Sequence, residues 1–324
     1  MKKLLILSNI SSRKYGDSTR PYYLGKYLSK YFSTTQVCKT EILESTIKYE
    51  KLLEKVSFSR PLSIYKVVRE VDKRVKRKDL DILYTHQLLF SVVGALVKVM
   101  NPDLPFYTDF HTSAYFELKH EPSKSFKNLV RRAFIPLLEK FVCKKSDSII
   151  TVSKETKELL IEYYSVHEQK VYIVKNAADI EVVKKGDDFD SAKLKQYNLN
   201  KEKDVLAIFP NPRDGFISNE LAMDFLLEVA NRIKHTNANI KMVILGGGDV
   251  PRQYPNNVIF TGYVKEYNKW LNTADVCIAT YPSNAVCGGV RNKICDYLAV
   301  GKPIIATKES MRGFDDLIKG VNYY

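Results

Sequence analysis

Between Gly288 and Asp296 the chain reads GGVRNKICD, with two glycines, an arginine, a lysine and an aspartate inside nine residues. Residues of these types at this spacing can hold an anion that is joined to a sugar. Paired glycines let backbone N–H groups approach a ligand closely, and a helix opening near Asn292 aims its positive end into the same space. Arg291 and Lys293 add formal charge at that opening. Asp296, three residues after Lys293, falls on a neighbouring helical face where its carboxylate can accept hydrogen bonds from sugar hydroxyls. The alternative is an ordinary strand-turn-helix-strand unit with a solvated basic turn, in which Asp296 pairs with Lys293 on the helix surface. A second constellation, Asp109 and His111 in DFHTS, follows an apolar strand, so a carboxylate and an imidazole meet at the carboxyl edge of a sheet. There the alternative is a structural histidine.

The segments around these residues alternate in period. Residues 276–280 are an apolar run of strand length, Gly301 ends the helix, and Pro303 opens the next strand. In the first half, strand candidates at 4–7, 82–84, 106–108, 148–152 and 171–174 alternate with longer segments of helical periodicity. The second half repeats the scheme at 205–209, 241–245, 258–260, 276–280 and 303–306. Such alternation implies parallel sheets with helices on both faces. The expected class is therefore α/β, with two doubly wound Rossmann-like domains, 1–179 and 204–324, facing across a cleft at the carboxyl ends of their strands. The polar, charged stretch 180–203 reads as the linker between them.

A length of 324 residues, 45% hydrophobic and 27% charged, suits two soluble domains of ordinary size. The net charge of +14 attracts polyanions, which leaves nucleic acid, an anionic membrane surface and phosphorylated small molecules as partners. Lysines are spread over both halves without an aromatic-basic signature, so no nucleic acid is expected, and a basic nucleic-acid-binding protein stands as a rival reading. The five cysteines, at 38, 143, 277, 287 and 295, have no metal-ligand spacing and fit a reducing compartment. Cys143 and Cys277 fall at core positions. The N-terminal apolar run is too short for a signal peptide and reads as a first buried strand, and no run approaches the roughly 20 residues of a membrane span. A cytoplasmic protein is expected. Within 119–145, Phe126, Leu129, Val130, Phe134, Leu137, Leu138 and Phe141 recur at helical spacing among basic residues. The domain core is the expected destination of that stripe, and shallow, peripheral insertion at an anionic membrane is the alternative.

Seven segments then carry a resemblance: DFHTS at 109–113, SDSIITVSKET at 146–156, VYIVKNAAD at 171–179, IKMVILGGGD at 240–249, VIFTGYV at 258–264, LNTADVCIATYPS at 271–283, and GGVRNKICDYLAVGKPIIAT at 288–307. In order and spacing they resemble the GT-B glycosyltransferases, and most of all family 4 of the retaining enzymes, over nearly the whole chain. The resemblance implies a hexosyltransferase that takes a nucleoside diphosphate sugar as donor and a glycan or lipid-linked acceptor, in polysaccharide or glycolipid biosynthesis. It implies that Gly288, Gly289, Arg291 and Lys293 hold the diphosphate and that Asp296 stands at the glutamate contacting the ribose. It also implies that His111, with Asp109, faces the transferred sugar and hydrogen-bonds its hydroxyls without acting as a nucleophile. No Asp-x-Asp motif is present, so neither metal nor cofactor is expected beside the donor.

Departures from the family pattern are specific. Gly288 stands where the first of two glutamates usually falls, so one sugar-contacting carboxylate is missing. Arg213, in FPNPRDGF, is a substitute for the basic residues that follow the first strand of the second domain, or a solvated loop arginine. The first loop lacks paired glycines, and Gly16 with Ser18, Thr19 and Arg20 forms either an acceptor-phosphate contact or a capped helix entry with an exposed arginine. His86 reads as structural, and His120, His167 and His235 as surface residues. Gly246, Gly247 and Gly248 form a turn, bordering the nucleotide base or not, without a dinucleotide fingerprint. Similar proteins continue beyond the position of Tyr324 with a segment that closes the fold. A catalytically degenerate partner subunit of the same fold is accordingly a further alternative.

Overall fold

The run KLLIL at Lys3–Leu7 buries its last four side chains and forms β1. A strand buried on both faces belongs in the middle of a parallel sheet. In the computed structural model it lies there, within the first of two compact units, Met1–Lys175 and Asn176–Tyr324. The structure describes residues 1–9, 16–38, 48–51, 56–120, 125–211, 217–237, 239–286 and 289–324.

After β1 come α1 (Gly16–Leu28), β2 (Ser33–Cys38), β3 (Lys48–Lys51), α2 (Pro61–Lys76), β4 (Ile82–His86) and α3 (Leu88–Met100). The unit continues with β5 (Phe106–Phe110), α4 (Ala114–His120), α5 (Phe126–Lys145), β6 (Ser148–Thr151), α6 (Lys154–Tyr164) and β7 (Val171–Ile173). Its seven strands stand in the order β3-β2-β1-β4-β5-β6-β7, all parallel. Alternate residues face opposite sides: Leu5, Leu7, Leu83, Phe106 and Ile149 enter one core, and Leu4, Ile6 and Tyr84 the other. Gly94 lets α3 lie against β5, since a Cβ there would come within 2.3 Å of the Phe106 ring.

Strands β2 and β3 were not expected from the sequence. STTQVC has few apolar residues, yet Gln36 is fully buried, its amide donating to Ser8 Oγ (3.2 Å) and the Pro21 carbonyl (3.3 Å). Burial of polar groups with partners leaves no hydrophobic signature. The apolar stripe of α5 also departs from expectation. Leu138 and Phe141 pack against the core, but Phe126, Leu129, Val130, Phe134 and Leu137 are exposed. The inward side of α5 is occupied instead by Asn128, Ile135, Glu139, Val142 and Cys143. No described helix is long and apolar enough to cross a membrane.

The second unit contains α7 (Ser191–Lys195), β8 (Val205–Pro210), α8 (Ile217–Ile233), β9 (Ile240–Leu245), β10 (Val258–Phe260), α9 (Tyr267–Thr273), β11 (Val276–Ala279), α10 (Asn292–Val300) and β12 (Ile304–Ala306). The strand order is β10-β9-β8-β11-β12, again parallel. Residues 180–203, read above as a linker, are part of this unit: Val183, Phe189, Leu194 and Leu199 enter its core beside Trp270. Polar composition there has a local cause. The backbone amides of Lys184, Gly186 and Phe189 donate to Asn268, Asn272 and Thr273 at 2.9 Å each, so side chains of α9 replace a secondary-structure ladder. At the far end of α10, Gly301 takes φ +69° as the left-handed cap, and β12 follows directly.

Candidate active site

In the first unit, β1 and β4 are neighbours whose following connections leave toward opposite edges of the sheet, the switch point at which doubly wound folds open a crevice. Residues after β1, at the end of β4 and at the end of β5 meet there. Asp109, one residue before the end of β5, is buried and accepts hydrogen bonds from Arg20 Nε at 2.9 Å and from the Tyr84 hydroxyl at 2.5 Å. The Arg20 and Asp109 side chains form an ion pair that is almost wholly shielded from solvent. Arg20 is thus not the exposed arginine of the capped-helix alternative, because α1 directs it inward to Asp109. Burial pushes the Asp109 carboxyl up, but Arg20, the two nearby histidines and Tyr84 outweigh it and hold the group below its usual range.

His86 and His111 stack edge to face with ring centroids 4.9 Å apart. Both nitrogens of His86 and Nε2 of His111 are buried without a hydrogen-bond partner among the described residues. Burial is the main cause that drops His86 to about 4 and His111 to about 3. Both rings are therefore neutral at physiological pH, able to donate or accept a hydrogen bond. His86, read as structural from the sequence, shares this cluster with the proposed catalytic pair.

Two features hold the cluster in shape. Glu139, on the inward side of α5, accepts hydrogen bonds from Ser113 Oγ (2.8 Å), the amides of Ala114 (2.6 Å) and Tyr115 (3.4 Å), and the Tyr164 hydroxyl. It thereby caps the start of α4, three residues beyond His111. Burial raises the Glu139 carboxyl despite those bonds. Directly after His86, Gln87 adopts φ 69° and ψ 149°. That conformation is costly for any residue with a Cβ, and such strain concentrates at functional sites.

The second unit has its switch point between β8 and β11. Tyr281, two residues past β11, is buried at the centre of the group. The guanidinium carbon of Arg291 lies 3.7 Å from its ring centroid and the Lys293 ammonium 4.9 Å, with Lys293 also 4.4 Å from the Phe209 ring. Lys293 donates to the Pro210 carbonyl at the end of β8 (2.5 Å) and to the Tyr281 hydroxyl (2.7 Å), which in turn donates to Asn219 Oδ1 (2.9 Å). Arg291 donates to the Ala285 carbonyl (2.7 Å) and Ser218 Oγ (3.3 Å). Asp296, one turn along α10, accepts from the Tyr267 hydroxyl at 2.9 Å. Burial pushes the Asp296 carboxyl up to about 6, against the Tyr267 bond and the charge of Lys293. The group unites two stacked cations, a helix start and a carboxylate at one sheet edge.

Residues 41–182 match the family model of glycosyltransferase family 4, and residues 215–323 that of glycosyl transferases group 1. The chain belongs to the GT-B glycosyltransferases and resembles their family 4. An uncharacterized glycosyltransferase of Methanocaldococcus jannaschii, MJ1059, is 23% identical over 291 residues, which are 87% of this chain and 69% of the relative. Among solved structures, sucrose-phosphate synthase from Thermosynechococcus elongatus superposes with a TM-score of 0.72 at 14% identity, covering 97% of this chain and 83% of that one. Alr3699/HepE of Anabaena, in complex with UDP-glucose, gives a TM-score of 0.68 at 16% identity, covering 98% and 83%.

In this glycosyltransferase Gly289, Arg291, Lys293 and Asp296 lie along the turn and first helical turns after β11, and Asp109 and His111 lie in the buried cluster of the first unit. Gly288, Arg213 and Cys287 fall outside the described residues. Cys143 and Cys277 are core residues, with thiols pushed up by burial. Sequence reasoning missed Tyr281, Tyr84 and Glu139. The available signal was weak: Tyr281 directly follows a buried strand and precedes two cations, but an aromatic after a strand is usually core.

Proposed function

We propose that this glycosyltransferase moves a hexosyl unit from a nucleoside diphosphate sugar to a glycan or lipid-linked acceptor, with retention of configuration. The observation that carries the reading is the Arg291 and Lys293 pair fastened around Tyr281 at the start of α10. Two cations held in place beside a helix N-terminus stabilise the charge that develops on a leaving diphosphate, and they need little reorganisation to do so. Gly289, and Gly288 and Arg213 outside the described residues, belong to the same donor contact in this reading. Asp296 has a second carboxylate oxygen for a ribose hydroxyl. His111, neutral and oriented next to Asp109, hydrogen-bonds the hydroxyls of the transferred sugar.

The structural neighbour solved with UDP-glucose makes UDP-sugars the first donors to test. Replacing Lys293 by alanine is expected to weaken UDP binding by about 10–100-fold, the worth of a charge-assisted hydrogen bond to phosphate. Titration calorimetry reads this directly. Unchanged UDP affinity would overturn the site assignment. Binding without transfer to any acceptor would favour the degenerate-partner reading, which Gly288 in place of a carboxylate makes specific.

A further inference from the structure

We propose that the turn after β12 is part of the donor site, with Thr307 and Ser310 as positioning residues that set Tyr281 and, through its ring, aim Arg291 and Lys293 at the diphosphate. Tyr281 lies two residues past β11, beyond the strand pairing, and is buried. A buried backbone N–H and C=O need partners, and the exit of the neighbouring strand supplies them. Thr307 Oγ1 donates to the Tyr281 carbonyl at 2.5 Å, and the Tyr281 amide donates to Ser310 Oγ at 3.2 Å. Each hydroxyl has one proton to give. Thr307 gives its proton to Tyr281, and Ser310 gives its own to the Ala279 carbonyl at 2.7 Å. The lone pairs of the two oxygens then accept from the amides of Ser310 and Tyr281, at 3.2 Å each. The two hydroxyls lie 2.7 Å apart and act as one clamp.

A turn that needed only a local cap would be served by the bond from the Ser310 amide to Thr307 Oγ1. The bonds to Tyr281 reach back 26 and 29 residues, and they end on the residue whose ring lies 3.7 Å from the Arg291 guanidinium and 4.9 Å from the Lys293 ammonium. The far end of that side chain is fixed as well, since its hydroxyl donates to Asn219 and accepts from Lys293. A side chain follows its backbone, so a shift of the Tyr281 peptide moves the ring and the cations stacked on it. Charge that is held in place beforehand stabilises a leaving diphosphate, and a small displacement forfeits part of that gain. The donor group therefore draws on three strands: β8 through Pro210, β11 through Tyr281, and β12 through Thr307 and Ser310. This inference deepens the donor reading given above and rests on it.

The test is titration calorimetry of the full chain with UDP and with uridine. Thr307→Val keeps the shape of the side chain and loses the hydroxyl, and it is expected to weaken UDP binding about fivefold. Ser310→Ala should cost a similar factor, and Thr307→Ser, which retains the hydroxyl, should bind UDP as the wild type does. Uridine has no phosphate and is expected to bind all of these chains equally. In a Tyr281→Leu background the ring is gone, so adding Thr307→Val should cost nothing further. Emission of Trp270, in the core of the same unit, checks in denaturant that each variant is folded under the conditions of the assay. A wild-type chain that does not bind UDP overturns the donor reading and this inference with it. UDP bound equally well by the wild type, Thr307→Val and Ser310→Ala overturns this inference alone. So does a loss that uridine shares, or one that persists without the Tyr281 ring, since either would give the pair a part in folding and none in directing charge.

Discussion

Both units expose a switch point at the carboxyl edge of a parallel sheet, but they handle charge in opposite ways. In the first, Arg20, the one buried arginine or lysine among the described residues, is neutralised by Asp109, and burial keeps His86 and His111 uncharged. In the second, the hydrogen-bond partners of Arg291 are a carbonyl and a hydroxyl, and Lys293 donates to a carbonyl and a phenol. These neutral partners orient the two cations, and the charge of Lys293 also acts on the Asp296 carboxyl. A neutral, hydrogen-bonding cluster suits the hydroxyls of a sugar, and an oriented pair of cations suits a diphosphate. Two copies of one architecture thus acquire different chemistry through which groups the edge residues meet.

The comparison can be broken most forcefully at Arg20. Replacing it by methionine leaves Asp109 buried without its counter-charge, and the first unit should lose about 3–5 kcal/mol of stability. The only tryptophan, Trp270, is buried in the second unit, so its fluorescence reports that unit while circular dichroism reports both. The variant should shift the circular-dichroism transition in denaturant and leave the fluorescence transition in place. Equal shifts in both would deny that the ion pair belongs to one unit.

A pH series sharpens the contrast next. His86 titrates near 4 in the fold and about 6.5 unfolded. Between those values the unfolded chain takes up a proton that the folded unit refuses, and acidification lowers stability. Asp296 has the reverse sign. Its folded value of about 6 exceeds the ordinary value of 3.8, so its contribution is lost as pH rises through that interval and regained on acidification. Glu139, raised by burial, opposes the histidines in the first unit. Going from pH 7 to pH 5, the His86→Phe variant should therefore lose about 2 kcal/mol less than the wild type. Over the same interval Asp296→Asn should lose the gain that the wild type shows in the fluorescence transition. Parallel pH profiles for wild type and variants would remove the distinction.

The smallest effects should come from Tyr281. Tyr281→Leu removes the ring that carries both cations and should weaken UDP binding about tenfold. Tyr281→Phe keeps the ring and loses the hydroxyl's bonds, those to Asn219, Asn211 and Lys293 among them, for about threefold. If the two variants weaken binding equally, the ring is not what orients Arg291 and Lys293.

Most strands were legible because burial on two faces requires unbroken apolar runs, as at residues 4–7 and 206–209. Gly301 and the helix start at Asn292 were legible for a local reason, since a left-handed cap and a chain turning into a helix are written in adjacent residues. What escaped was set by remote partners. Gln36 is buried against Ser8 and Pro21, and residues 180–203 are held by α9. In both cases hydrogen bonding stands in for the apolar pattern that a sequence reader follows.

By itself, then, the sequence determined the α/β class, the alternation of strand and helix, and the placing of Arg291, Lys293 and Asp296 at the opening of one helix, because these follow from period and neighbouring residues. Only the tertiary structure decided that Arg20 turns inward to Asp109, that Tyr281 gathers two cations, and that the apolar stripe of α5 faces outward. Each of these depends on which segments 12 to 89 residues apart come into contact, and on which side of a helix finds the core already filled. Neither is encoded in local spacing.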